Sequence, residues 1–233
     1  MTMALSLAGF ALTRLQKSSA YDVVMRLPML AWSLVLALAL AVELERYWHA
    51  ADPALPGAIV LNIATRLSMI AYLVILAAMV MVRTLPIGKA RGAEPRVSAL
   101  LGSFLISVVV LFPRRELAPA VGSLSTLLLL VGDSIAAVVL IQLRGSFSIM
   151  AEARQLATSG AYRFVRHPLY LAEEIATIGG VIQFFSIWTA LLLVVQIACQ
   201  IRRMRNEEIV LMEVFPEYSS YRRKTPRIIP RLY

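Results

Sequence analysis

Cysteine is almost missing from this chain, with Cys199 alone, and histidine occurs only twice in 233 residues. One thiol closes no internal disulfide, and together with two imidazoles it supplies no structural zinc cluster, so neither an oxidised scaffold nor a metal centre is expected. Charge is sparse as well: 16% of residues are charged while 59% are hydrophobic, and the mean hydropathy is +0.75. That balance excludes a disordered chain and argues against an ordinary water-soluble globule. Acidic residues number 14 against 23 Lys plus Arg, a net charge of +9. A positive excess fits nucleic acid in a soluble protein, but in a membrane chain the basic bias of cytoplasmic loops explains it, and no nucleic-acid partner is expected.

What the sequence does hold is long apolar runs. Six are visible, at Leu27 to Leu44, Ala58 to Val82, Val97 to Phe112, Leu117 to Leu143, Leu169 to Phe185 and Ile187 to Ile201. They are continuous rather than alternating and rich in Leu, Ala and Met, and hydrocarbon leaves no partner for a bare backbone, so they read as helices. The expected fold is all-α: a transmembrane bundle of five or six spans with a polar cytoplasmic loop and a C-terminal helix. Residues 1–26 read as an interfacial helix rather than a cleaved signal peptide. Residues 27–143 read as four apolar spans, and 144–233 as a polar loop, a helical hairpin, a C-terminal helix and a tail. The last two runs meet at Ser186, which predicts a tight antiparallel hairpin. No internal repeat is visible.

Basic residues orient the bundle. With the N-terminus cytoplasmic, 19 of the 23 fall in inside segments, and only Arg46, Arg66, Arg114 and Arg115 fall outside. The loop from Arg144 to Arg166 and the tail from Arg202 then share the cytoplasmic side.

Those two stretches are the densest in polar chemistry. LATSGAYRFVRHPLY, Leu156 to Tyr170, runs into a span through His167 and Pro168. Proline suits a first helical turn, and the amides exposed there favour an anionic ligand group. On composition alone, Thr158, Ser159, Gly160 and His167 serve equally to end a loop and cap a helix. Glu173 and Glu174 lie one turn further in, where ionisable groups are costly unless paired, hydrated or snorkelling. They line a polar cavity, or they reach for the headgroups. In the tail, Arg203 and Glu207 are four apart, as are Met204 and Glu208, spacing that suits a binding face or a surface ion pair. Asp133 is the remaining deep acid, either a substrate group or a helix-to-helix hydrogen bond. Gly179 and Gly180 suit close helix approach.

The order TSGAYRFVRHPLYL, two apolar segments, R-x-x-x-E-E-x-x-L (Arg203 to Leu211), F-x-E-Y-x-x-Y and T-P-R-I-I-P resembles the integral-membrane methyltransferases of the isoprenylcysteine carboxyl methyltransferase type, whose core phospholipid N-methyltransferases share. The resemblance covers about Arg154 to Pro230, and it implies a methyltransferase core in residues 144–233 with a cytoplasmic cofactor-binding loop, and a lipophilic substrate side in the four spans of residues 27–143. It implies S-adenosylmethionine as cofactor, with Arg154, Gln155, Leu156 and Ala157 edging the adenosine and Tyr162, His167, Pro168, Leu169 and Tyr170 closing round it. Glu207 would meet the cofactor's amino or ribose groups. Arg203 is similar to the residue that holds the acceptor, with Glu173 beside it, and Glu174 and Glu208 are further catalytic candidates, as proton acceptors. No metal is implied. The sequence departs from the family where Ala172 replaces a common Gly, and where F-G-x-E-Y is shortened to Phe215, Pro216, Glu217 and Tyr218.

Transfer from an activated sulfonium methyl needs positioning and exclusion of water more than nucleophilic side chains. The expected acceptor is lipophilic and drawn from the bilayer: a prenylcysteine-type carboxylate held by Arg203, or alternatively a phospholipid amine. Membrane sterol and steroid reductases, which use NADPH, resemble the R-H-P region too, but the H-R-x-x-R-D pattern is missing here. A transporter or membrane scaffold is the non-enzymatic alternative. Oligomeric state is not legible.

Overall fold

The computed structural model describes the backbone of residues 2–50 and 56–229, and side chains at Val24, 26–49 and 57–229. The apolar face expected of the N-terminal interfacial helix, and Pro230 of the last motif, lie outside the described residues. Helix α1 (Thr2–Ala50) runs unbroken through Pro28 into the first crossing, so the backbone of the N-terminal segment continues the span. It is followed by α2 (Pro56–Val82), α3 (Glu94–Phe104), α4 (Pro119–Leu143), α5 (Pro168–Gln183), α6 (Ile187–Val214) and α7 (Tyr218–Lys224).

The fold is all-α, with one two-residue ribbon in which β1 (Gly88–Lys89) pairs antiparallel with β2 (Glu152–Ala153). Among the described residues, five helical stretches are long and apolar enough to cross a membrane: 26–49, 57–82, 94–111, 119–146 and 187–214. The chain is thus built as an integral membrane protein. The third crossing tightens from α3 into a 3₁₀ helix, Leu105–Leu111.

Helix α5 has 16 residues, about 24 Å of rise, and is not among the five. It nevertheless joins the two ends of the bundle. At one end, the Arg115 N–H donates to Gln183 O at 2.8 Å and its Nε to Phe185 O at 3.0 Å, which puts the α5–α6 turn beside the α3–α4 turn. At the other end, the Arg166 and His167 amides donate to Pro226 O (2.9 Å) and Arg227 O (3.1 Å), just before α5 begins. There too, Arg26 Nη1 reaches Met81 O and the Thr84 amide reaches Gly145 O. The 144–167 loop and the tail therefore sit at one end of the bundle.

The Ser186 turn is as short as expected, closed by a capping box with Thr189. Its limbs diverge, however: α5 packs chiefly on α4, and α6 on α3. Small residues set the first contact, because a Cβ on Gly132 would lie 2.5 Å from Ala176 N, and one on Gly179 would lie 2.7 Å from Ser125 O. A Cβ on Gly180, by contrast, would make only an ordinary contact, 3.9 Å from the Leu129 side chain. Polar residues set the second. Asn206 Nδ2 donates to Glu94 Oε2 and Ser98 Oγ, and Gln196 Nε2 to Gly102 O. The splay leaves room between the helices. Further, α6 does not stop at Ile201: the apolar run and the charged RRMRNEE segment form one helix, not a span followed by a separate C-terminal helix.

Candidate active site

The loop between α4 and α5 is folded by its own side chains. Ser148 Oγ and Arg154 Nη2 converge on Glu152 Oε2 at 2.9 and 2.7 Å, and Lys89 approaches the other oxygen at 3.6 Å across the ribbon. Gly160 adopts φ +62°, in the left-handed region that a side chain disfavours, and Gln142 occupies the space a Cβ would need. Gln142 Oε1 in turn accepts from the Ala161 amide at 2.8 Å. Pro168 opens α5, where its missing N–H costs nothing.

Two cavities result. The first, of about 720 Å³ including its mouth, lies at the loop end. Arg154, Gln155, Leu156, Ala157, Tyr162, His167, Leu169, Tyr170 and Glu207 all line it, as do Phe147, Arg166, Leu211, Tyr218 and Tyr221. Of the residues expected round a cofactor, Pro168 alone is off the wall. The second cavity, of about 800 Å³, lies between the helices, walled by Tyr72, Ser103, Asp133, Glu173, Gln196, Gln200 and Arg203 among apolar residues from α1 to α6. Phe147 borders both.

The partition between them is polar. Arg203 is 3% exposed; its guanidinium lies over the Tyr170 ring at 4.6 Å, with Nη1 on Ser103 Oγ at 2.9 Å and Nη2 on Ser148 O at 3.2 Å. Its Nε is 3.5 Å from Glu207, whose carboxylate also accepts from the Tyr170 hydroxyl. The Arg203–Glu207 pair is thus interior and not a surface ion pair. Glu173 does not snorkel: it takes a hydrogen bond from the Tyr72 hydroxyl at 2.8 Å and one from Gln200 Nε2 at 3.5 Å.

Two acids expected to be catalytic face elsewhere. Glu208, 2% exposed, lines neither cavity. Arg227 Nε and Nη2 clasp its two oxygens at 2.9 and 2.8 Å, His167 Nε2 lies at 3.1 Å and Arg166 Nη1 at 3.4 Å. This carboxylate ties the tail to the R-H-P turn and is placed as a latch rather than a base. Glu174 is held by Gln196 Nε2 at 2.8 Å and lines a cleft under Ile228 and Ile229. Asp133, for which the sequence left open a substrate group or a helix-to-helix hydrogen bond, faces the inner cavity, and its Oδ2 is buried without a hydrogen bond.

Near the loop, burial raises the Tyr162, Tyr218 and Tyr221 hydroxyls, the last to about 12, so they remain protonated donors. Tyr221 donates to Tyr162 O at 2.5 Å. Sequence reading missed Tyr72, Ser103, Ser148, Gln196, Gln200 and Arg227. The spacing of Gln196, Gln200, Arg203 and Glu207 along one helix face was the available signal for the two glutamines, and the T-P-R-I-I-P motif contained Arg227 without suggesting its partner.

Residues 123–213 match the model of the isoprenylcysteine carboxyl methyltransferase (ICMT) family. The match begins inside α4, so the fourth crossing is part of what is shared, and it stops before the tail. Among curated relatives, a nickel-cobalt-cadmium resistance protein, NccN, of Alcaligenes xylosoxydans xylosoxydans is 34% identical over 82 residues, which is 35% of this chain and 38% of that protein. A cobalt-zinc-cadmium resistance protein, CzcN, of Cupriavidus metallidurans is 36% identical over 78 residues, 33% of this chain and 36% of that one. The chain spans little more than a third of the length of these relatives. Motif order and family match point the same way: over residues 123–213 this chain is similar to the isoprenylcysteine carboxyl methyltransferase family, which is a family of methyltransferases.

Proposed function

We propose that the chain is an integral-membrane methyltransferase that uses S-adenosylmethionine and draws a lipophilic acceptor from the bilayer. The observation that carries this reading is the pair of cavities divided by Tyr170 and Arg203, one polar at the loop end and one between the helices. Such an arrangement lets a water-soluble donor and a membrane-soluble acceptor meet without either crossing the other's solvent.

The residues present fit the cofactor. The outer cavity is within the size range of small-molecule sites. Leu143, Phe147, Leu169 and Leu211 give it apolar walls, the Glu207 carboxylate suits an amino group or ribose hydroxyls, and the Tyr218 hydroxyl is buried with no hydrogen-bond partner. The 154–157 segment would edge the adenine, and Tyr162, His167, Leu169 and Tyr170 would surround the rest. When bound, S-adenosylmethionine supplies a methyl on a sulfonium, displaced in line with the electron pair passing to sulfur.

The chain's own part is orientation and exclusion of water. Tyr170 and Glu207 fix Arg203, and Ser103 and Ser148 aim its fork at the boundary between the cavities. The tail, clasped by Glu208, roofs the outer cavity through Tyr218 and Tyr221. A prenylcysteine-type carboxylate is the acceptor that the family implies, with Arg203 as its anchor; an amine lipid would need the inner acids instead. The relatives' metal-resistance names describe those whole proteins, and among the described residues here no group of three His, Cys, Asp or Glu side chains is arranged so that it could hold a metal ion.

Thermal unfolding of the purified chain tests the reading, because a ligand that binds only the native state stabilises it. S-adenosylhomocysteine should raise the midpoint and NADPH should leave it unmoved. The reverse would support the reductase reading, and no response to either would leave the transporter or scaffold reading.

A further inference from the structure

The wall of the inner cavity is short of cations. Asp133 from α4 and Glu173 from α5 both line it, and Arg203 is the one basic residue on it among the described residues. Arg203 is already matched by Glu207, 3.5 Å away on the side of the outer cavity. With both acids ionised, the inner cavity carries an uncompensated negative charge.

Its unmet hydrogen bonds have the same bias. Asp133 Oδ2, Gln196 Oε1 and Gln200 Oε1 are buried without a partner, and Asp133 is 9% exposed as a residue. The amide orientations are fixed by their other ends. Gln196 Nε2 donates to Gly102 O at 3.1 Å and to Glu174 Oε1 at 2.8 Å, and Gln200 Nε2 points at Glu173 Oε2 at 3.5 Å. Against these three acceptors stands one unmet donor on the wall, Arg203 Nε, which already faces Glu207. A buried acceptor left unmatched is costly, so the group that completes this wall is a hydrogen-bond donor, and one with positive charge where two carboxylates meet.

We infer that Asp133 and Glu173 form the recognition site for a protonated amine on a lipophilic acceptor, so that transfer is to nitrogen rather than to a carboxylate. This rests on the methyltransferase reading and specifies its acceptor. A carboxylate placed beside Asp133 and Glu173 would add a third negative charge and fill none of the open acceptors. An ammonium gains up to three charge-assisted hydrogen bonds from the same wall. For nitrogen to react, one proton leaves the ammonium for one of the two carboxylates. The lone pair so freed forms the N–C bond as the S–C bond breaks, sulfur keeps the bonding electrons, and the sulfonium's charge passes to the methylated nitrogen. Arg203 then acts at the boundary as a positioning residue.

The test uses the full chain in detergent micelles with dodecylamine, dodecanoic acid and phosphatidylethanolamine as probes, read by thermal stabilisation and by transfer of labelled methyl from S-adenosylmethionine. An amine is expected to stabilise the chain and to be labelled at least about tenfold faster than the acid; which of the two amines prevails tells a single-chain acceptor from a diacyl lipid. Asp133→Asn keeps the shape but puts an amide N–H₂ where an acceptor stood. It should lose about tenfold or more of both amine readouts while binding S-adenosylhomocysteine as the parent does, which also reports that it folds. Preference for the acid, equal use of acid and amine, labelling of no probe by a chain that binds S-adenosylhomocysteine, or an Asp133→Asn variant that matches the parent overturns the inference. If S-adenosylhomocysteine does not bind at all, the methyltransferase reading beneath it fails, whereas stabilisation by amine that depends on Asp133 is still measured.

Discussion

Arg203 and Glu208 lie five residues apart on α6 and do different work, although both are buried charges. Arg203 has its guanidinium at the boundary of two cavities, held by Ser103, Ser148, Glu207 and the face of Tyr170. Replacing it with Ala would strand Glu207, and the loss of one partner of a buried pair costs about 3–5 kcal/mol, so that variant mixes stability with function. Arg203→Lys is cleaner: it keeps the charge but loses the planar fork. We expect its methyl transfer to fall by roughly a hundredfold with S-adenosylhomocysteine affinity within about threefold, measured by labelled transfer and by calorimetry. Comparable loss of both would mean that Arg203 belongs to the cofactor site alone. Glu208 should behave in the opposite way. In Glu208→Gln, the two charge-assisted bonds from Arg227 weaken, each about 1.5–3 kcal/mol, and the His167 and Arg166 contacts lose their counter-charge. The tail should then lift, seen as faster proteolysis after Arg222 and Arg223 and as weaker cofactor binding. A tail as resistant as the parent's would show that the latch carries no strain of closure.

At the scale of elements, the α4–α5 contact is where the fold can be broken most simply. Gly132 and Gly179 bring two backbones together, with Ala176 N and Ser125 O lying under 3 Å from where a Cβ would go, and neither backbone can turn aside. Ser125 Oγ also donates to Gly179 O at 2.7 Å. Gly132→Ala and Gly179→Ala should each push the helices apart, by an overpacking cost of about 1–3 kcal/mol, and reduce the folded yield in detergent as measured by gel filtration. Gly180→Ala, with its nearest neighbour at 3.9 Å, should match the parent. If all three behave alike, the close approach is not what joins the helices. The contrast also marks what the sequence discloses. Hydropathy locates the start of each of the five crossings within several residues, because a bilayer imposes the same demand on each. It does not reveal which helix packs on which, so the divergence of α5 from α6, and with it the inner cavity, was not foreseen. Nor does it locate the end of α6: charge ended the apolar run at Ile201, but Arg, Met and Glu are good helix formers and the helix runs on to Val214. The family resemblance named nine residues that line the outer cavity, most of them close in sequence, but not others on its wall such as Phe147, Ser148, Arg166, Leu211 and Tyr221. The inner wall draws one to three residues from each of six helices, and only Glu173, Asp133 and the Gln196, Gln200, Arg203, Glu207 spacing gave notice of it in the sequence.

For the molecule as a whole, the arrangement requires that the α4–α5 loop and the tail emerge on one side of the membrane. Their backbones are joined directly, at Arg166 to Pro226 and His167 to Arg227, while the α3–α4 and α5–α6 turns are joined at the far end through Arg115. The sequence supplies an expected compartment: with the N-terminus inside, 19 of the 23 basic residues fall in inside segments, and by the positive-inside rule we propose that the loop side is cytoplasmic. Cys199 is the sole thiol, so Cys199→Ser gives a clean background for single introduced cysteines. Arg163, Arg223 and Glu116 are exposed and serve as reporters. Arg163→Cys and Arg223→Cys should be labelled by a membrane-impermeant maleimide in inside-out vesicles and protected in intact cells, with Glu116→Cys showing the reverse. Labelling of 163 and 223 from opposite sides would separate the two halves of the outer cavity and remove the site altogether. Joint labelling of both from outside would keep the site but turn it toward a compartment that cells do not supply with S-adenosylmethionine, leaving the geometry intact and the proposed donor without a source.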